Sequence, residues 1–264
     1  MKSVYTGDEK VAEFESYDEL RVGDGKPAFI YEGNELVYPN PIKDGLVLWY
    51  DFSGRTNADG QRGIAEDLSG NGNHGTLQNF NYSAESGYDK NKLLFDGVDD
   101  YVQSTKNSYT NFTVEMVLKL KPFQKTGSIF GSRVSVFTDE KESGIEIRND
   151  SNSMLRYFIS DGTTLSTNGV NSGIDMSEKM FHLVFSKDID GGFIMIDGKE
   201  ITNFRDENLG VISDSRIMSI GTRGSSGTYG QNFEAGSFKF YNKALTPEEI
   251  AHNFKIEKER FDIE

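Results

Sequence analysis

The 264-residue chain has no cysteine, one tryptophan, five prolines and only three histidines, His74, His182 and His252. Without thiols it can form no disulfide, no thiolate nucleophile and no cysteine-ligated zinc site. Three scattered histidines leave little for an imidazole-based metal centre. No uncharged apolar run approaches the ~18 residues of a membrane span, and Met1 to Asp8 lacks the apolar core of a secretory leader. We therefore expect a soluble chain made in the cytoplasm; if it works outside the cell, it leaves by a route other than ordinary secretion. Basic residues are also scarce: 28 Lys and Arg stand against 42 Asp and Glu, a net charge of −14. That surface repels phosphate backbones, which argues against nucleic-acid binding, and nothing points to a membrane partner.

Apolar residues at 36% and aromatics at 12% suffice for a sizeable core. The first forty residues carry a small repeat, in which Val4-Tyr5-Thr6-Gly7-Asp8-Glu9-Lys10-Val11 aligns without gaps on Ile30-Tyr31-Glu32-Gly33-Asn34-Glu35-Leu36-Val37. Each copy sets Gly-Asp or Gly-Asn between β-formers, the composition of a tight hairpin turn. Pro39-Asn40-Pro41 then makes a stiff junction. The expected organisation is a small β module over residues 1–44 and a main domain over 45–264. A segment as short as the first buries little core by itself, so it pairs with another chain or lies on the main domain.

Beyond Gly45 the chain reads as strands separated by Gly, Asn, Asp and Ser turns. Phe112, Val114, Met116, Leu118 and Leu120 alternate along one face of a strand. Phe181–Phe185 and Phe193–Ile196 flank a turn at Asp188–Gly192, and Asp197-Gly198 supplies the next turn. This pattern predicts an all-β sandwich. One helix is predicted, over about 247–258: Thr246 as N-cap, Pro247 at N1 and Glu249 at N3 form a capping box, with Leu245 and Ile250 as a hydrophobic staple. Ile250 and Phe254, at i and i+4, would share one face of it.

Five segments, in order, resemble the concanavalin A-like lectin/glucanase superfamily in its laminin-G-like branch. They are Gly45-Leu-Val-Leu-Trp-Tyr-Asp-Phe52, Asp67-Leu-Ser-Gly-Asn-Gly-Asn-His-Gly75, Leu94-Phe-Asp-Gly-Val-Asp-Asp-Tyr-Val102, Phe193-Ile-Met-Ile-Asp-Gly-Lys199 and Phe240-Tyr-Asn-Lys-Ala-Leu-Thr-Pro-Glu-Glu-Ile250. The resemblance implies a jelly-roll sandwich of two antiparallel sheets closing on the short C-terminal helix. Gly236-Ser237 stands where the family commonly has an Asp-Glu pair. The N-terminal repeat is similar to short modules on virion proteins of phages that infect Gram-positive bacteria. That second resemblance implies a tail, baseplate or fibre component that leaves its host by lysis. It would be docked to other virion proteins through residues 1–44, as a structural component or as one that adsorbs to a host cell-wall carbohydrate, with a homo-oligomer left open.

Asp67-Leu68-Ser69-Gly70-Asn71-Gly72-Asn73 places oxygen-bearing side chains at alternate positions with Gly sixth, the spacing of a calcium loop. A site holding Asp67 and Asn71 would need help from Asp96, Asp99 or Asp100, and so little charge predicts weak binding, of order 10⁻⁴–10⁻³ M. The same pattern suits an Asx-turn loop whose side chains bond backbone N–H groups, the commoner use of such residues. For a glycan, Arg223, Tyr229 and Asn232 offer an aromatic face and polar groups in one loop; an ordinary Gly/Ser connector is the alternative. A glycan hydrolase would need two carboxylates across a cleft. The family's catalytic strand alternates acids, but Glu146-Ile147-Arg148-Asn149-Asp150 has Arg148 in the middle, and Glu259-Arg260-Phe261-Asp262-Ile263-Glu264 lies after the helix. Both read as solvated charge. The expected function is a non-enzymatic, lectin-like virion component, the alternative a glucanase-like hydrolase. Direct contact with anionic wall polymers would be repulsive at −14, which restricts receptors to neutral sugars, bridging cations or a local basic patch.

Overall fold

The computed structural model describes residues 2–6, 9–14, 29–32, 35–132, 143–205, 212–224 and 229–264. The chain divides into two compact units, Met1–Lys43 and Asp44–Glu264. In the first, β1 (Lys2–Thr6) pairs antiparallel with β2 (Glu9–Phe14), and β3 (Ile30–Glu32) with β4 (Glu35–Tyr38). The turn residues Gly7-Asp8 and Gly33-Asn34 lie outside the described residues.

The second unit opens with β5 (Leu46–Asp51), β6 (Ile64–Ala65), β7 (Gly75–Gln78), β8 (Gly87–Asp89), β9 (Lys92–Asp96) and β10 (Tyr101–Tyr109). It continues through β11 (Phe112–Leu120), β12 (Gly127–Gly131), β13 (Gly144–Ser151), β14 (Met154–Ser160) and β15 (Leu165–Asn171). It closes with β16 (Phe181–Lys187), β17 (Gly191–Ile196), β18 (Lys199–Arg205), β19 (Ile212–Ile220), β20 (Asn232–Tyr241) and α1 (Pro247–Arg260). The front sheet runs β15-β14-β13-β12-β19-β10-β7-β6 and the back sheet β18-β17-β16-β11-β20-β9-β8, with β5 also on β20; the pairings are antiparallel. This is the expected jelly-roll sandwich.

Between the sheets lies one core, to which β11 contributes Phe112, Val114, Met116, Leu118 and Leu120. Aromatic contacts fill its ends: Phe95 stacks on Phe233 with centroids 4.3 Å apart, and Tyr109, Phe112, Phe185 and Phe240 meet edge-on. The hairpins fall as expected. Asp188 N donates to Gly191 O, and Asp197 and Gly198, both at positive φ, join β17 to β18 with Ile196 opposite Lys199.

Helix α1 begins at the expected residue, and both capping-box bonds form between Thr246 and Glu249. Its buried face is largely polar. The buried positions are Ile250, Asn253 and Glu257, and Phe254 is only half-buried. The stripe is polar because the sheet face beneath it is polar: Asn253 Nδ2 donates to Glu115 Oε2 (2.8 Å) and Tyr241 Oη (3.0 Å), and Glu257 meets Lys239 and Ser237. Arg260 closes the set on Asp51 (2.7 Å) and Glu257 (3.3 Å). In 259–264 the acids Glu259, Asp262 and Glu264 are exposed, as read, whereas the Arg260 side chain is buried in its ion pairs. Phe261 and Ile263 are buried with Val117, and Phe261 lies over Gly236, where a Cβ would come within 2.5 Å of its ring. A side chain at 236 would meet that ring, and Ser237 beside it donates to Glu257 Oε1, so no acid of the family pattern stands at this place.

Two members of the buried network have strongly displaced acidities. Burial, with Lys239 adding repulsion, lowers the His182 pKa to about 3 from 6.5. Burial raises Glu115 to about 7 from 4.5 against the pull of Lys239 and Asn253, with Glu257 reinforcing the rise. Despite its burial, the charges of Lys239 and Arg260 hold Glu257 below the usual carboxylate range. The unfolded chain takes up a proton on His182 below pH 6.5 that the folded chain refuses until about 3, so this stabilisation is lost as pH falls. Glu115 has the opposite sign, since the folded carboxyl keeps its proton to about pH 7 and stability is lost as pH rises from 4.5. The slopes oppose between pH 4.5 and 6.5. His182→Phe keeps the ring stack on Phe254 and removes one of them. Urea titrations should show the variant losing stability from pH 4.5 to 6.5, at up to ~1.4 kcal/mol per pH unit, while the parent stays flatter; equal slopes would refute this account.

Candidate functional site

The loop Asp67–Asn73 lies along the open edge of β5. Asp67 Oδ1 accepts from the backbone N–H groups of Trp49 and Ser69 (both 2.9 Å), and Oδ2 from Ser69 Oγ and Asn73 N (both 2.8 Å). Leu68 N donates to Trp49 O, while Asn71 and Asn73 direct their amide Nδ2 groups to Val47 O, Asn71 also reaching Leu46 O. Both carboxylate oxygens of buried Asp67 are thus engaged by two donors each, the arrangement of the Asx-turn reading. A strand edge needs its peptide groups satisfied, and side chains do here what a neighbouring strand does elsewhere.

Asp96 sits apart from that loop in a second cluster. Ligand oxygens of Asp96, Asp99 and Asp100 lie within 4.8 Å of one another. Asp100 Oδ2 accepts from Asp96 N (2.9 Å), and Asp96 Oδ1 from Val98 N (2.7 Å), which folds the turn tightly. Asp100 is buried, and its pKa rises to about 6 through desolvation, with Asp96 and Asp99 adding to the rise against the bonds from Asp96 N and Ser86. The structure therefore groups Asp96 with Asp99 and Asp100 and leaves Asp67 and Asn71 to the edge of β5.

The predicted glycan residues share a rim with that acidic turn. Asn232 pairs with Asp96 across β20 and β9. Gly230 packs on the backbone of Gly97 and Val98 so closely that a Cβ would lie 2.9 Å from Val98 O. Tyr229 O accepts from Ser128 N, and the Arg223 guanidinium lies over the Tyr229 ring at 4.0 Å. Tyr229 and Asn232 are half-buried, whereas Arg223 is only 6% exposed, so it braces the ring from behind instead of standing out as a polar finger. Residues 225–228 of this connection lie outside the described residues.

The carboxylate candidate also departs from its solvated reading. Glu146 is 1% exposed and accepts from Ser128 Oγ. Arg148 Nε and Arg156 Nε each donate to Asp150 at 2.8 Å, and the Arg148 guanidinium covers the Phe158 ring at 4.9 Å. Arg148 stands opposite Arg156 and Glu146 opposite Phe158, so this basic-aromatic face of the front sheet arises from the β13–β14 register. Arg156 and Phe158 escape a reading of the sequence, because neither belongs to a motif and only the pairing brings them to Asp150 and Arg148.

Comparison with known proteins agrees with this architecture. A laminin G family model, described as the concanavalin A-like lectin/glucanases superfamily, matches residues 96–251, more than half of the chain. Among solved structures, the botulinum neurotoxin serotype D ligand binding domain in complex with N-acetylneuraminic acid superposes with a TM-score of 0.60 at 16% identity, covering 81% of this chain and 51% of that one. The receptor binding domain of the botulinum neurotoxin C/D mosaic serotype gives 0.60 at 16% identity, with 81% and 52% covered. The chain thus spans about half the length of these neighbours, and identities this low establish the shared fold alone. No curated protein matches the sequence.

Asp67→Ala should destabilise the fold by about 3 kcal/mol, since buried donors including Trp49 N lose their acceptor. The loss should be the same with and without calcium in chemical denaturation; one confined to calcium-containing buffer would assign Asp67 to a metal instead.

Proposed function

Because this chain belongs to the concanavalin A-like lectin/glucanases superfamily, we propose that it is a non-enzymatic binding module for a carbohydrate, presented on a phage particle. The observation that carries the binding reading is the rim: an Arg-braced Tyr229 ring beside Asn232 and the Asp96–Asp100 turn. A sugar's apolar face stacks on such a ring, and its hydroxyls bond amide and carboxylate oxygens. Attachment through residues 1–44 to other virion proteins rests on the repeat of paired short strands, β1–β2 and β3–β4, and on the likeness of that repeat to phage modules. A neutral glycan fits better than an anionic wall polymer, given the charge of −14.

Hydrolysis is disfavoured by the front-sheet face. Its buried acid, Glu146, is bonded to Ser128, the alternate position is Arg148, and Asp150 is held by two guanidinium groups. A retaining or inverting pair requires two carboxyls aimed at one bond, ~5–5.5 or ~6.5–9.5 Å apart.

A screen of neutral glycans and purified wall polymers, paired with a reducing-end assay, tests the reading. Saturable binding without turnover is expected, with Tyr229→Ala weakening it about tenfold, the ~1.4 kcal/mol scale of one lost stacking contact. Turnover abolished by Glu146→Gln would replace the binding module with a hydrolase. Calcium enters this proposal as a weak adjunct on Asp96, Asp99 and Asp100. Millimolar calcium should raise the melting temperature by mass action, and Asp100→Asn should remove that rise; an unchanged parent melt would eliminate the cation.

A further inference from the structure

The sandwich has five exposed strand edges to protect among its described residues, and four are protected in recognisable ways. Strand β6 has two residues and β8 three, too short to template another strand. Strand β18 carries exposed Lys199, Glu200 and Arg205, and its pairing with β17 is interrupted by a register shift. The free edge of β5 is covered by the side chains and backbone of Asp67–Asn73.

Strand β15 has none of these devices. It runs seven residues in unbroken register with β14, and among the described residues no strand pairs with its other edge. From Gly162 to Ile174 there is neither a charged residue nor a proline, in a chain where 27% of residues are charged. Thr167, Asn168 and Asn171 are exposed along it. Long, regular, uncharged edges are the ones that recruit another strand.

We propose that β15 is a self-association edge, on which a second copy of this chain adds its own β15 antiparallel so that the front sheet continues across the dimer. Charge selects the occupant. Two copies at −14 repel wherever acidic surfaces approach within a Debye length, ~8 Å at physiological ionic strength, and the 162–174 segment lets two backbones meet without opposing like charges. A two-fold axis through Asn168 would pair Leu165 with the partner's Asn171 and set the two Asn168 residues opposite each other. The strand is self-complementary in that register, since its middle holds only exposed Thr167 and Asn168 and the half-buried Gly169. A pairing this small is expected to be concentration-dependent and strengthened by salt.

The full-length chain should approach twice 29.6 kDa in sedimentation equilibrium as concentration rises. Adding Thr167→Lys with Asn168→Lys should keep it monomeric, with the melting temperature of the dilute parent, both positions being exposed. Because the chain contains no cysteine, Asn168→Cys gives a clean second readout: it should form an intermolecular disulfide on mild oxidation. Thr163→Cys, roughly 30 Å from its mate in this register, should not. A parent chain monomeric at every concentration, a dimer that survives the double lysine variant, or equal cross-linking of both cysteine variants would each overturn the proposal.

Discussion

Every peptide group on a sheet must find a partner, and in a domain made almost wholly of strands that requirement governs where each loop goes. It is most visible at β5. This strand pairs with β20 on one side only, and its other side would lie open without the Asp67 carboxylate and the two asparagine amides. The arrangement brings Trp49, fully buried, and Tyr50 into fixed places, and Tyr50 Oη in turn bonds Asn73 O and Ser104 Oγ, tying the loop to the front sheet. One carboxylate thereby couples an edge, a core aromatic and the opposite sheet.

A second demand comes from the outer face of the back sheet. Strands β11 and β20 are buried on both faces, yet their outward positions include Glu115, Lys239 and Tyr241. Water is excluded by α1 and the residues after it, so these groups depend on one another, through Asn253, Glu257 and Arg260. Such a network adds little stability over an apolar seam, but removing one member strands a buried charge. It fixes how α1 sits on the sheet, since only one placement satisfies all of its members.

What could be read from the sequence was local. The helix start was legible because Thr246, Pro247 and Glu249 act within one turn, and the inner face of β11 because alternation is a property of the strand itself. The buried face of α1 was not legible: Asn253 and Glu257 look like solvent residues until Lys239 and Glu115 are opposite them. The Asp67 loop was ambiguous in principle, since an oxygen that can hold a cation can equally accept an N–H, and only the nearness of β5 decides between them. The rim was legible in part. Its residues share one connection, but the approach of Gly230 to Val98 and the burial of Arg223 are tertiary facts. Arg156 and Phe158 were out of reach because register, not composition, places them.

The position of β20 bears on the order in which the domain can be made. It is an inner strand of the back sheet, bonded to β11 on one side and to β5 and β9 on the other, yet it is the last strand in the chain. Until residue 241 has emerged from the ribosome, β5 has no strand beside it, β9 has only β8 and β11 only β16, and the core aromatics Phe233, Phe238 and Phe240 are not yet there to fill the space between the sheets. The nascent chain can form hairpins such as β16–β17 in the meantime, but it cannot close. Assembly of the domain is therefore a late, single event in translation, and the intermediate that precedes it exposes the strand surfaces from which aggregation begins.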